Sequence, residues 1–171
     1  MIRKLGTIAA AAGMAEQGDP DSALEILAEL GTRYQGKRRK ILTVARDVSL
    51  AGEPVEYALG LASRLRYDTL FLNIVAGGKA ANKAVRQHKA GFQALLKDLS
   101  NRLWSGSAPD VLLHHAVLCG DYRLLLKEAC HRIGGVALVI LQTTRPEPCS
   151  LDLHVPVFCF DTAQPSKQAR S

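Results

Sequence analysis

Aromatic residues are scarce in this chain, with four Phe, four Tyr and one Trp among 171 residues. The core must therefore be mostly aliphatic, as it is where a parallel sheet lies between helix layers. Long hydrophobic runs are missing as well: no stretch approaches the ~20 apolar residues needed to span a bilayer. The four cysteines, Cys119, Cys130, Cys149 and Cys159, form no C-x-x-C pair and have no zinc spacing. They read as reduced thiols of a cytoplasmic protein, at least two of them packed in the core. Five histidines offer no ligand set either. His114 and His115 are neighbours on a strand and point to opposite faces, while His88, His131 and His154 stand apart, so no metal is expected. Paired carboxylates, a Ser-His-Asp order and a nucleophile elbow are all missing, which leaves no case for an enzyme.

What is present fits one domain with an appendage: 47% hydrophobic and 22% charged residues are ordinary for a globular chain. The net charge is +6, with basic clusters at Lys37-Arg38-Arg39-Lys40 and between Lys167 and Arg170. A basic linker can meet nucleic acid, acidic lipid or an acidic partner. Without stacking aromatics beside it, a solvated hinge is the reading adopted, and no nucleic acid is expected.

The N-terminal pattern Arg3-Lys4 followed by an Ala-rich run superficially resembles a signal peptide, but its weak hydrophobicity favours an ordinary helix over residues 3 to 17. Asp19-Pro20-Asp21 then supplies a helix start, and Leu24, Leu27, Ala28 and Leu30 share one side before Gly31. These two helices predict a hairpin too small to stand alone, which must dock on its own domain or on a partner. Residues 1–37 are assigned to this hairpin and linker, 38–162 to the main domain, and 163–171 to a disordered tail.

From residue 40 the rhythm becomes strand, helix, strand. Strands are predicted at 41–45, 69–76, 111–118, 136–141 and 155–160, with helices at 52–66, 80–104 and 121–133. The helix at 52–66 places Val55, Ala58, Leu59, Ala62 and Leu65 inward, and the last places Leu125, Leu126, Ala129 and Ile133 inward. Alternation of this kind means parallel strands with right-handed crossovers, an α/β doubly wound sheet. Pro156 near the start of the fifth strand suits an edge. Ligands of such sheets bind beyond the carboxyl ends of the strands, where the strand order reverses.

Lys40-Ile41-Leu42, Tyr57-Ala58-Leu59, Leu70 to Ile74, Cys119-Gly120-Asp121 and Pro156-Val157 occur in an order and spacing that resembles the universal stress protein family over residues 40 to 160. The resemblance implies a five-stranded parallel sheet of order 3-2-1-4-5, of the adenine nucleotide alpha hydrolase-like type, and a homodimer through the fifth strand. Val155, Val157, Phe158 and Phe160 would then lie at the interface. ATP-binding members carry an Asp at the end of strand one. Here Arg46 stands at that position, with Asp47 one place later. The family's Gly-x2-Gly-x9-Gly-Ser/Thr motif after strand four is replaced by Gln142 to Ser150, which contains no glycine and is too short for the fourth crossover helix. Glycines there let backbone N–H groups close on phosphates, so ATP is not expected and no cofactor is assigned.

Two functions remain open. One is a non-catalytic regulatory or interaction protein whose hairpin and linker meet a partner. The other is a sensor of a small ligand or nucleotide, ATP or AMP, at the strand edge. Its candidate residues are Arg46, Asp47, Ile74, Gly78, Lys79, Gly120 and Thr143. Each has a bland counterpart: an Arg46–Asp47 ion pair, a surface turn at Ala76-Gly77-Gly78-Lys79 rather than a phosphate loop, and for Cys119 a packed bystander rather than a redox thiol.

Overall fold

The computed structural model describes residues 20–33, 38–103, 111–144 and 152–162. The first predicted helix, most of the linker and the C-terminal tail lie outside them. In chain order the elements are α1 (Pro20–Arg33), β1 (Lys40–Arg46), α2 (Gly52–Leu65), β2 (Asp68–Val75), α3 (Ala81–Leu103), β3 (Leu113–Cys119), α4 (Tyr122–Arg132), β4 (Val136–Thr143) and β5 (Val157–Asp161). The strands form one parallel sheet in the order β3-β2-β1-β4-β5, as the family resemblance implied.

Two apolar clusters sandwich the sheet. On one face Leu42, Val44, Leu70, Leu72, Ile74, Val139 and Leu141 meet α1 and α4. On the other Ile41, Ala45, Phe71 and Ile140 meet α2 and α3. The alternation of these strand residues between faces follows from the two-residue period of a strand, and burial on both sides explains why the strands read as unbroken apolar runs.

Helix α1 packs against its own domain. Ala23, Ile26, Leu27 and Leu30 join the α4 face of the core, and Gly31 lies so close to α4 that a Cβ there would sit 2.6 Å from the Arg132 carbonyl oxygen. Ala28, expected inward, faces solvent, because the buried stripe is centred nearer Ile26 and Leu27. Leu65 is likewise exposed rather than buried. The helix ends there, with Arg66 left-handed at φ 56° and its N–H bonded to the Ala62 carbonyl. Strand β5 begins at Val157, after Pro156 rather than around it. Proline has no N–H to give the ladder, although its carbonyl still accepts from Val139 N at 3.0 Å. No helix separates β4 from β5 among the described residues.

Candidate functional site

The strand order reverses between β1 and β4, and a cavity of about 370 Å³ opens at their carboxyl ends. Arg46, Asp47, Val48, Tyr122, Gln142, Thr143 and Thr144 line it. The structure thus brings together Arg46, Asp47 and Thr143, which the sequence placed at this edge.

Arg46 leaves β1 exposed, its guanidinium carbon 5.2 Å from the centre of the Tyr122 ring and its Nε 3.6 Å from the Asp47 carboxylate. Asp47 has a left-handed backbone, φ 53°, which Asp tolerates better than most residues. Its N–H donates to the Ile74 carbonyl, and its Oδ1 accepts from Ala76 N at 2.8 Å. The carboxylate is therefore tied to the β2–α3 turn. Of the remaining candidates, Ile74 contributes this carbonyl while its side chain is buried in the core. Gly78, Lys79 and Gly120 are not among the cavity's lining residues. Gly120 donates to the Val75 carbonyl at 2.9 Å.

Two buried amides, not singled out from the sequence, fix the β1–α2 loop. Asn73 on β2 and Gln142 on β4 are both in register with Ala45, one on each side of β1. Gln142 Oε1 accepts from Ala51 N at 2.8 Å while its Nε2 donates to the Ser49 carbonyl at 2.9 Å. Asn73 Nδ2 donates to the Val48 carbonyl, and its Oδ1 receives His115 Nε2–H, both at 2.8 Å. Burial, with smaller contributions from nearby His88 and Lys89, lowers the His115 pKa to about 3, so the ring is neutral and stacked on Phe92 at 4.1 Å. The available signal was an amide inside an apolar strand, since a buried amide must be hydrogen-bonded.

One backbone donor on each of three loops at this edge is held by a side chain. Asp121 caps α4, accepting from Leu124 N at 2.8 Å, and Asp47 and Gln142 hold Ala76 N and Ala51 N. Cys119, just before this cap, is buried, and burial pushes its thiol pKa up; burial likewise lifts Cys130 to about 11. Neither has the lowered pKa of a reactive thiol. Both are free, whereas Cys159 is disulfide-bonded, a correction to the expectation of four reduced thiols. Among the described residues no three His, Cys, Asp or Glu side chains converge as metal ligands, and no helix is long and apolar enough to cross a membrane.

At the sheet's β5 edge, Phe158 stacks on Tyr57 of α2 with ring centres 5.7 Å apart, and Phe160 lies 6.2 Å from each. Tyr57 and Phe158 are exposed. Val155 and Val157 are half-buried against the α4 face of the core.

No family model matches the chain, and no curated protein matches it. Among solved structures it is similar to the crystal structure of a protein from the universal stress protein family of Burkholderia pseudomallei, with a TM-score of 0.52 at 17% identity. The match covers 73% of this chain and 98% of that one, so the universal stress protein-like fold accounts for the main body of this molecule.

Proposed function

We propose that this chain is a non-catalytic, universal stress protein-like regulatory protein that acts by interaction and has lost nucleotide binding. The observation that carries the reading is that side chains already hold a backbone donor on each of three loops at this edge of the sheet. N–H groups at the β1–α2 loop, the β2–α3 turn and the start of α4 are held by Gln142, Asp47 and Asp121. A triphosphate would have to displace a carboxylate at two of these three places. The glycine-free sequence Gln142 to Ser150 supports the same conclusion. In this reading the molecule is a homodimer joined along β5.

Thermal melting with ATP, AMP and inorganic phosphate tests it. No change in melting temperature is expected. A ligand at a hundred times its dissociation constant adds about 2.7 kcal/mol, so a clear rise with either nucleotide overturns the reading.

A second reading, a sensor of a small anion other than a nucleotide, is favoured by the cavity itself, whose volume lies at the small end of ligand sites. Arg46 and Thr143 would meet the anion. Simple carboxylates would then raise the melting temperature of the wild type but not of Arg46→Ala, which should fold normally because Arg46 is exposed. A flat response to the carboxylates rejects this second reading alone.

A further inference from the structure

From Lys83 to Lys97 the outer face of α3 carries charge of one sign. Between Lys79 and Lys97 the sequence has five cationic side chains, Lys79, Lys83, Arg86, Lys89 and Lys97, and no carboxylate. Val85, Phe92, Leu96 and Leu99 turn into the core, so Lys83, Arg86 and Lys97 share the opposite side of the helix, all exposed. Ala90 and Ala94 lie between Arg86 and Lys97 on that side and are also exposed, leaving a low surface between the cations. The ion pairs of the described residues lie elsewhere, at Arg38–Asp68, Arg46–Asp47, Arg102–Asp98 and Arg132–Glu128. Side-by-side cations repel one another, and no acidic side chain within the stretch offsets this.

From this juxtaposition we infer that α3 is a docking face for the sugar–phosphate backbone of a nucleic acid duplex, bound without sequence preference. Lys83 to Lys97 spans about 21 Å of helix, comparable to about six base-pair steps at 3.4 Å. An isoelectric point near 9.3 with cations clustered along one helix is the electrostatic signature of such a partner. A membrane surface fits less well, because Val85, Phe92, Leu95, Leu96 and Leu99 of α3 are committed to the core, and the exposed face between its cations carries only Ala90 and Ala94 as apolar residues. The linker had argued against nucleic acid because it lacks stacking aromatics, but a mode that contacts only the backbone of a duplex needs none.

The test is fluorescence anisotropy of a labelled, mixed-sequence duplex with the full chain at about 50 and 200 mM salt. Five phosphate contacts give a fall in affinity of about 500-fold over that range. The triple reversal Lys83→Glu, Arg86→Glu, Lys97→Glu changes exposed side chains, and its circular dichroism should be that of the wild type. It should weaken binding at the lower salt by more than a hundredfold and reduce the salt effect to about tenfold, as two remaining contacts give. Reversal of Lys167 and Arg170 in the tail, or of Lys37 and Arg39 in the linker, should change affinity less than threefold. The inference is overturned by no binding at the lower salt, by equal loss in the tail or linker variants, or by unchanged affinity after the α3 reversal. It is also overturned if the chain binds vesicles of phosphatidylcholine with phosphatidylserine and not the duplex.

Discussion

Asn73 holds two groups at once, the Val48 carbonyl and the His115 ring, in a setting closed to water. An unpaired buried polar group costs about 1–3 kcal/mol, so Asn73→Ala should lose about 2–4 kcal/mol in urea unfolding, more than its small volume suggests. His115 gives a pH signature. Its pKa is about 3 in the folded chain and about 6.5 unfolded. Between these values the unfolded state binds the extra proton, so stability must rise with pH. Full stability is present above about pH 6.5 and declines as pH falls toward 3, by about 1.4 kcal/mol per pH unit from this group. Unfolding free energies measured at pH 7, 6, 5 and 4 should show this slope in the wild type and a shallower one in His115→Phe. Equal slopes would place the ring in a more hydrated site than the one described. Neither residue was legible as a site element, because the sequence shows only a polar letter in an apolar strand. Which loop that letter holds depends on a neighbouring strand distant in sequence.

Among elements, α1 shows how a glycine can be read two ways. In a helix interior Gly→Ala ordinarily stabilises by about 0.5–1 kcal/mol. Gly60 in α2 has nothing within 4 Å of an added Cβ, so Gly60→Ala should raise stability by that amount. At Gly31 the added Cβ meets the Arg132 backbone, which cannot swing aside as a side chain would. Gly31→Ala should therefore destabilise by about 1–3 kcal/mol, the usual cost of overpacking, and accelerate amide exchange in α1. Thermal melts of the two variants should move in opposite directions. From the sequence Gly31 was merely the end of a helix. Its role as a contact point exists only because α4 ends beside it.

For the whole molecule, the β5 end of the sheet is where the proposed dimer is tested. Among the described residues β5 pairs with β4 and ends the sheet, with exposed Phe158 and Tyr57 stacked at this end. If the proposed dimer forms there, Phe158→Asp should give a monomer by native mass spectrometry at the concentration where the wild type is dimeric. Its fold should persist, since Phe158 is 44% exposed. A variant that stays dimeric moves the interface elsewhere.

The alternation of apolar runs and amphipathic stretches was enough to determine the five strands, the three crossover helices and the parallel class, because a two-residue and a 3.6-residue period are local properties. The strand order came through a family resemblance and was met by the structure. Tertiary structure alone decided that α1 docks in cis and that Asn73 and Gln142 flank Ala45 to hold the β1–α2 loop. Each of these is a relation between segments far apart in the chain, created by packing, and no periodicity within a single segment encodes it.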